Sequence, residues 1–60
     1  MNNERQELQN WLENQIKETK AEVKWCETHN TPANETQSYV LKYRLSYLES
    51  ELDNLQYPID

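Results

Sequence analysis

The sequence LKYRLSYLESELDNL, residues 41–55, decides the fold of this chain. Its leucines recur at spacings of four, three, four and three residues. Residues with this spacing lie on one side of an α-helix, and an apolar side of this kind needs another helix to cover it. We refer to these residues as the leucine seam: Leu41, Leu45, Leu48, Leu52 and Leu55.

A second helical pattern precedes the seam and predicts helix 1 over about residues 4–29. The face of helix 1 that can cover the seam is built on Leu12, Ile16 and Val23, with Leu8, Thr19 and Cys26 along the same side. Thr31 and Pro32 then predict the start of helix 2, because threonine caps free N–H groups and proline is tolerated at the first helical position. We expect Asn30 to close helix 1 in a left-handed conformation, and Asn34 offers a second possible start for helix 2.

Helix 2 is predicted over about residues 32–56, since Tyr57 precedes a proline and is pushed out of helical geometry. Two helices of matched length joined by a turn at about residues 30–31 predict an all-α antiparallel hairpin that forms one domain, residues 1–60. A chain of 60 residues buries little surface alone. We therefore expect two hairpins to associate into a homodimeric four-helix bundle, either parallel or antiparallel, whose core contains the leucine seam.

A second apolar stripe on helix 2 lies away from the leucines and predicts a further contact. Tyrosine and tryptophan suit interfaces because they combine a large apolar area with a polar group. The stripe either completes the homodimer or docks a different protein. The candidate interface residues are Tyr39, Val40, Tyr43, Tyr47, Trp11 and Trp25.

The net charge of −5 argues against direct binding to nucleic acid or to anionic membranes. No apolar run predicts an export signal or a membrane span, and a lone thiol favours a reducing cytoplasm. Glu49, Glu51 and Asp53 form an acidic end of helix 2 without a nearby basic residue on that helix. These acids either contact a basic partner surface or keep a small protein soluble.

The sequence predicts no catalytic site, cofactor, metal or small-molecule substrate. Cys26 and His29 are three residues apart, but nothing supplies the third group that orients a nucleophilic pair. One cysteine and one histidine do not make a four-ligand zinc site in one chain. Two helices are also expected to lack a concave cleft of substrate size.

Residues 49–53, Glu-Ser-Glu-Leu-Asp, resemble the Ser-Gln-Glu-Leu-Asp signature of sporulation-type aspartyl-phosphate phosphatases of bacilli, which are short acidic helical hairpins. Three residues loosely match the first helix of that family: Ile16, Lys20 and Val23. The likeness covers about half of the chain, and Glu49 stands where the family has its serine. The resemblance implies that Asp53 acts on the phosphoryl group of a response regulator.

Three hypotheses for function follow. The first is a non-enzymatic interaction module, a homodimer that binds and modulates a larger bacterial regulator such as a transcription factor. The size and acidity of the chain are typical of small accessory proteins of phages and mobile elements. The second is the aspartyl-phosphate phosphatase, and the third is a structural assembly subunit.

Overall fold

A computed structural model describes residues 3–56, which form two α-helices joined by a short turn. Helix α1 spans Asn3–Thr28 and helix α2 spans Pro32–Gln56, and the two pack against each other along their length as an antiparallel hairpin. The prediction of an all-helical hairpin is therefore confirmed. Tyr57 and Pro58, which were expected to end helix 2, lie outside the described residues.

The leucine seam packs on α1 and forms the core of the hairpin. Near the open end, Leu48 is 3% exposed and is clustered with Leu12 and Ile16, while the other leucines of this half are partly buried around them. Near the turn, Leu41 packs with Val23 and Cys26. The helix that the seam requires is thus α1 of the same chain.

Two small polar side chains, Thr19 and Ser38, are buried among the apolar residues. The Thr19 hydroxyl donates a hydrogen bond to the Gln15 carbonyl at 2.6 Å, and the Ser38 hydroxyl donates one to the Glu35 carbonyl at 2.7 Å. Each polar group is therefore satisfied within its own helix, so its burial avoids the cost of an unpaired hydroxyl. Thr19 lies between Ile16 and Val23 along α1, where it separates the two apolar clusters.

The turn is held by side chains of the first residues of α2. The Asn34 backbone N–H donates to the Thr31 hydroxyl at 3.1 Å, so Thr31 caps α2 and Pro32 is its first residue. The Asn34 side-chain amide donates to the His29 carbonyl at 2.6 Å. Asn34 therefore ties the turn to α1, and it is not the start of α2.

The expectation that Asn30 closes α1 in a left-handed conformation is wrong, since no non-glycine residue described has a positive φ. The physical reason lies in the capping partners. A left-handed residue serves to bring backbone N–H groups onto the last helical carbonyls. Here His29 supplies its own backbone N–H to the Trp25 carbonyl at 2.9 Å, and the Asn34 side chain reaches the carbonyl of His29.

At the open end, Arg5 of α1 donates a hydrogen bond to the Leu55 carbonyl of α2. Cations are favourable near a helix C-terminus, where the last carbonyls lack partners within the helix. The acidic end of α2 has no basic residue nearby on its own helix, and Arg5 of α1 supplies a positive charge there. The hairpin therefore offsets part of the unfavourable placement of acids at that end.

The hairpin is a plate one helix thick, with extents of 47 × 20 × 11 Å. Its accessible surface is 5017 Å², whereas a compact monomer of 7.3 kDa is expected to expose roughly 4,200 Å². Stable domains are generally built from at least two packed layers. The hairpin supplies one layer, and much apolar surface is left beside it.

Thr31→Ala is expected to destabilise the protein by about 1 kcal/mol, because it removes the acceptor for the first N–H groups of α2. The measurement is urea unfolding followed by circular dichroism at a fixed protein concentration. Thr36→Ala is the matched control, since the Thr36 hydroxyl only donates to the Pro32 carbonyl within the helix. Equal effects of the two substitutions would contradict the capping role.

Leu48→Ala is expected to lower the free energy of unfolding by about 2–5 kcal/mol, because Leu48 is the most buried leucine of the seam. The same unfolding experiment measures it. Tyr43→Ala, which removes a side chain that is 82% exposed, is expected to change the free energy of unfolding by no more than about 0.5 kcal/mol. A Leu48→Ala protein as stable as the wild type would rule out the packing described here.

Candidate interaction surfaces

The hairpin has two broad faces, and one of them is crossed by ion pairs. Lys20 of α1 lies 3.8 Å from Glu49 of α2, and Lys42 of α2 lies 3.0 Å from Glu27 of α1. The four side chains are about half exposed, so each pair contributes little stability, on the order of 0.2–1 kcal/mol. Their effect is to make this side polar, and we call it the charged face.

The opposite face carries an apolar groove at the open end of the hairpin. Leu8 and Trp11 of α1 and Tyr47 of α2 form its walls, and leucines of the core form its floor. The groove has a volume of about 460 Å³ and is open to solvent. Glu51 and Asn54 provide its polar edge. The sequence predicts no concave cleft of substrate size, whereas the structure contains this open groove, because large aromatic rings stand on both sides of a leucine floor.

The same face continues towards the turn at helical spacing. Gln15 lies one turn beyond Trp11, and its side-chain oxygen accepts a hydrogen bond from Arg44 at 3.2 Å, so this contact also bridges the two helices. Trp25 follows Trp11 by two heptads, a spacing that keeps both on one side of a helix packed in a hairpin. We call this side the aromatic face; its apolar residues are Leu8, Trp11, Trp25, Val40 and Tyr47, with exposures of 47–61%.

The Trp25 ring is held in place by His29. The two rings are stacked with centroids 4.2 Å apart and an interplanar angle of 20°. The Nδ1 atom of His29 lies 3.0 Å from the Trp25 carbonyl, which can only accept a hydrogen bond, so Nδ1 carries the proton in this contact. The stack orders one end of the aromatic face, and an ordered side chain loses less entropy on binding.

The predicted stripe comprises Val40, Tyr43 and Tyr47, with Tyr39 beside it. In the structure Tyr43 and Tyr47 line one small cleft, and Tyr47 also lines the aromatic groove. Tyr47 lies on the aromatic face, whereas Tyr39 borders a small cleft beside Lys42 and Glu27 on the charged face. Tyr43 is 82% exposed and lies with Ser46 on the side of α2 that faces away from α1. The reason is that each step of four residues rotates about 40° around a helix, so three such tyrosines spread over about 80°.

The three acidic residues proposed as one contact are divided between two sides of α2. Glu49 is paired with Lys20 on the charged face, and Glu51 borders the aromatic groove. Asp53 is exposed on α2. Glu49 and Asp53 are four residues apart and therefore lie on one side of α2, while Glu51 lies on the other.

The residues considered for chemistry are not brought together. Cys26 is buried in the core near the turn, while His29 is exposed and stacked on Trp25. Within residues 3–56, no group of three or more histidine, cysteine, aspartate or glutamate side chains is arranged to hold a metal ion. The groove itself is lined mainly by apolar side chains, and its titratable members are Tyr47 and Glu51.

Comparison with known proteins found no match to this chain among protein-family models, curated proteins or solved structures. Over the same described residues, neither helix is both long and apolar enough to cross a membrane.

Glu51 raises the pKa of the Tyr47 phenol above its ordinary value of 10.0, chiefly by hydrogen bonding to the phenol and also through its negative charge. A raised pKa in the folded protein means that the Tyr47–Glu51 interaction stabilises the fold at neutral pH. The stabilisation is complete below pH 10.0 and is lost as the pH rises through the raised pKa.

Glu51→Gln is therefore expected to lower the pKa of Tyr47 towards 10.0. The measurement is an ultraviolet titration of tyrosinate, from which the titration of the matching Tyr47→Phe protein is subtracted. Asp53→Asn, which changes the charge two residues further along α2, is the control and is expected to leave the curve of Tyr47 in place. A Tyr47 pKa unaffected by Glu51→Gln would show that the two side chains do not interact.

Proposed function

We propose that the chain is a non-enzymatic protein-interaction module that works as a homodimeric four-helix bundle. In this proposal it is an accessory or regulatory protein, of the kind encoded by phages and mobile elements. It binds and modulates a larger bacterial regulator such as a transcription factor. Neither nucleic acid, nor a membrane, nor a small-molecule substrate is part of the proposed activity.

The observation that carries the proposal is the difference between the two broad faces of the hairpin. Five apolar side chains are about half exposed on the aromatic face, and the charged face is crossed by ion pairs. Aromatic residues grouped on one surface with ordered rings are typical of protein interfaces. A plate one helix thick also lacks the second layer that domains generally have, and a second hairpin would supply it.

The outer surface of α2 supports binding to a further protein. Tyr43 stands there, 82% exposed, in a small cleft that Ser46, Tyr47 and Ser50 also line. This surface lies on the side of α2 away from α1, so covering the aromatic face leaves it accessible. A tyrosine flanked by small residues presents a rigid ring that a partner pocket can enclose.

The two other hypotheses stay predictions. In the phosphatase hypothesis, Asp53 is exposed as a reacting carboxylate must be, and Glu49, at the place of the family's serine, is paired with Lys20. In the structural-subunit hypothesis, the hairpin assembles without a regulatory target. Dephosphorylation of a response regulator by the purified protein, lost on Asp53→Asn, would favour the phosphatase over the interaction module.

The proposed function is tested first by light scattering, which is expected to give twice the chain mass of 7.3 kDa at micromolar concentration. Regulators captured from bacterial lysate are then titrated individually against the purified protein by calorimetry. Tyr43→Ala is expected to weaken the binding of the true target by roughly tenfold or more, the usual cost of removing an interface hot spot.

Lys17→Ala is the control for this titration, since Lys17 is exposed on α1, whereas Tyr43 lies on the outer surface of α2. It is expected to leave the affinity unchanged. A protein that stays monomeric, or one that binds no regulator in direct titration, would contradict the proposed function.

A further inference from the structure

The aromatic face and the outer surface of α2 are neighbouring candidate interfaces, and Tyr47 lines both the groove of the first and the cleft of the second. We propose that the occupant of the aromatic face is a second copy of this chain, stacked face to face with the two turns at the same end of the bundle. This inference rests on the proposed homodimer and adds its interface and its orientation.

The size of the aromatic face suits a stable dimer. The broad side of the hairpin measures 47 × 20 Å, and an interface of standard size buries about 800 Å² on each partner. Apolar side chains stand at both ends of this face: Leu8, Trp11 and Tyr47 near the open end, and Trp25 and Val40 near the turn. The apolar contacts would therefore be spread along the whole interface.

The middle of the aromatic face is polar, and its charges are of opposite sign on the two helices. Glu18 lies seven residues from each tryptophan, midway along α1. Arg44 lies between Val40 and Tyr47 on α2 and is positioned by its hydrogen bond to Gln15. Among residues 3–56, the ion pairs found belong to the charged face and include neither Glu18 nor Arg44.

The arrangement of these charges distinguishes the two symmetric ways of stacking hairpins. With the turns at the same end, α1 of one copy lies over α2 of the other, so each Glu18 faces the Arg44 of the other copy. With the turns at opposite ends, equal helices lie over each other, and at the centre Glu18 meets Glu18 while Arg44 meets Arg44. Opposite charges attract and like charges directly opposed cost free energy, which favours the first arrangement.

In the same-end arrangement, the apolar residues of one copy also pack against the apolar residues of the other. The groove at the open end packs against the groove of the second copy, so Trp11 and Tyr47 of both chains form one cluster. Tyr43 points away from α1 and remains exposed on both sides of the dimer. The dimer thus presents two equal docking surfaces, one on each α2.

The interface is tested by a matched pair of tyrosine substitutions. Tyr47→Lys places a charge on the aromatic face and is expected to raise the Kd of the dimer by roughly a hundredfold or more, because the lysine must be desolvated in an apolar cluster. Tyr43→Lys makes the same change one turn away on the outer surface and is expected to leave the Kd unchanged. Sedimentation equilibrium measures both; the reverse pattern would assign the dimer to the outer surface and overturn the inference.

The orientation is tested by exchanging the central charges. Arg44→Glu or Glu18→Arg alone is expected to raise the Kd by roughly tenfold or more, since each creates a like-charged pair across the interface. The double substitution is expected to restore an affinity close to that of the wild type. Both residues are exposed, so the hairpin itself is retained. A double substitution that binds no better than the single ones would overturn the pairing.

A distance measurement gives an independent result. Cys26→Ala removes the native thiol, and Asn30→Cys at the exposed turn then carries one spin label on each chain. The distance between the two labels of the dimer is measured by pulsed electron paramagnetic resonance. Packed helices lie about 10 Å apart, so turns at the same end are expected to place the labels on the order of 20 Å apart. Turns at opposite ends would separate them by nearly the 47 Å length of the hairpin.

These outcomes separate the inference from the proposed function. A dimer whose labels lie near 47 Å apart overturns the orientation and leaves the interaction module in place. A chain that is monomeric in every background overturns both the inference and the proposed dimer. Labels on the order of 20 Å apart, together with restored affinity in the double charge exchange, support the inference.

Discussion

The packing of the leucine seam on α1 is the contact on which the rest of the molecule depends. It fixes the rotation of each helix about its own axis, because Leu41 and Leu48 are buried only when they point at the apolar side of α1. Once that rotation is fixed, every residue beside the core is assigned to one of the two broad faces. The ion pairs, the tryptophans and the exposed tyrosines are then distributed by their spacing from the seam.

This distribution is unequal, and the proposed dimer uses the face that carries the exposed apolar side chains. The lysines beside the core find glutamates on the facing helix within the chain, so that face is already complete. On the other side of the core, large apolar side chains remain about half exposed. Burial of this apolar area is favourable by roughly 25 cal/mol for each Å² removed from water. Association therefore gains most where Trp11, Trp25 and Tyr47 stand.

The sequence was sufficient to predict the two helices and their contact, because the apolar period and the Thr31-Pro32 boundary are local signals. The apolar stripe of α2 was predicted without the surface on which each tyrosine lies. A rotation of about 40° per four residues turns Tyr39 towards the charged face and Tyr47 towards the aromatic groove, with Tyr43 between them. The end of α1 depends on the hydrogen bond from the Asn34 side chain to the His29 carbonyl, and no left-handed Asn30 is involved. The hydrogen bond from Arg5 to the Leu55 carbonyl joins residues that are far apart in the sequence. These contacts are visible only after the helices have been docked.

In the proposed dimer, folding and association are coupled. The hairpin buries few apolar side chains, so ligands or partners that bind only the folded state add directly to its stability and make that stability depend on concentration. Exposed aromatic rings also promote unspecific association, which the net charge of −5 opposes by mutual repulsion. Arg44 is a positive charge in the middle of the aromatic face of this acidic protein. A second copy aligned so that Glu18 meets Arg44 gains a local attraction that misaligned copies lack, and so the charges select one arrangement from the many that apolar contact alone allows.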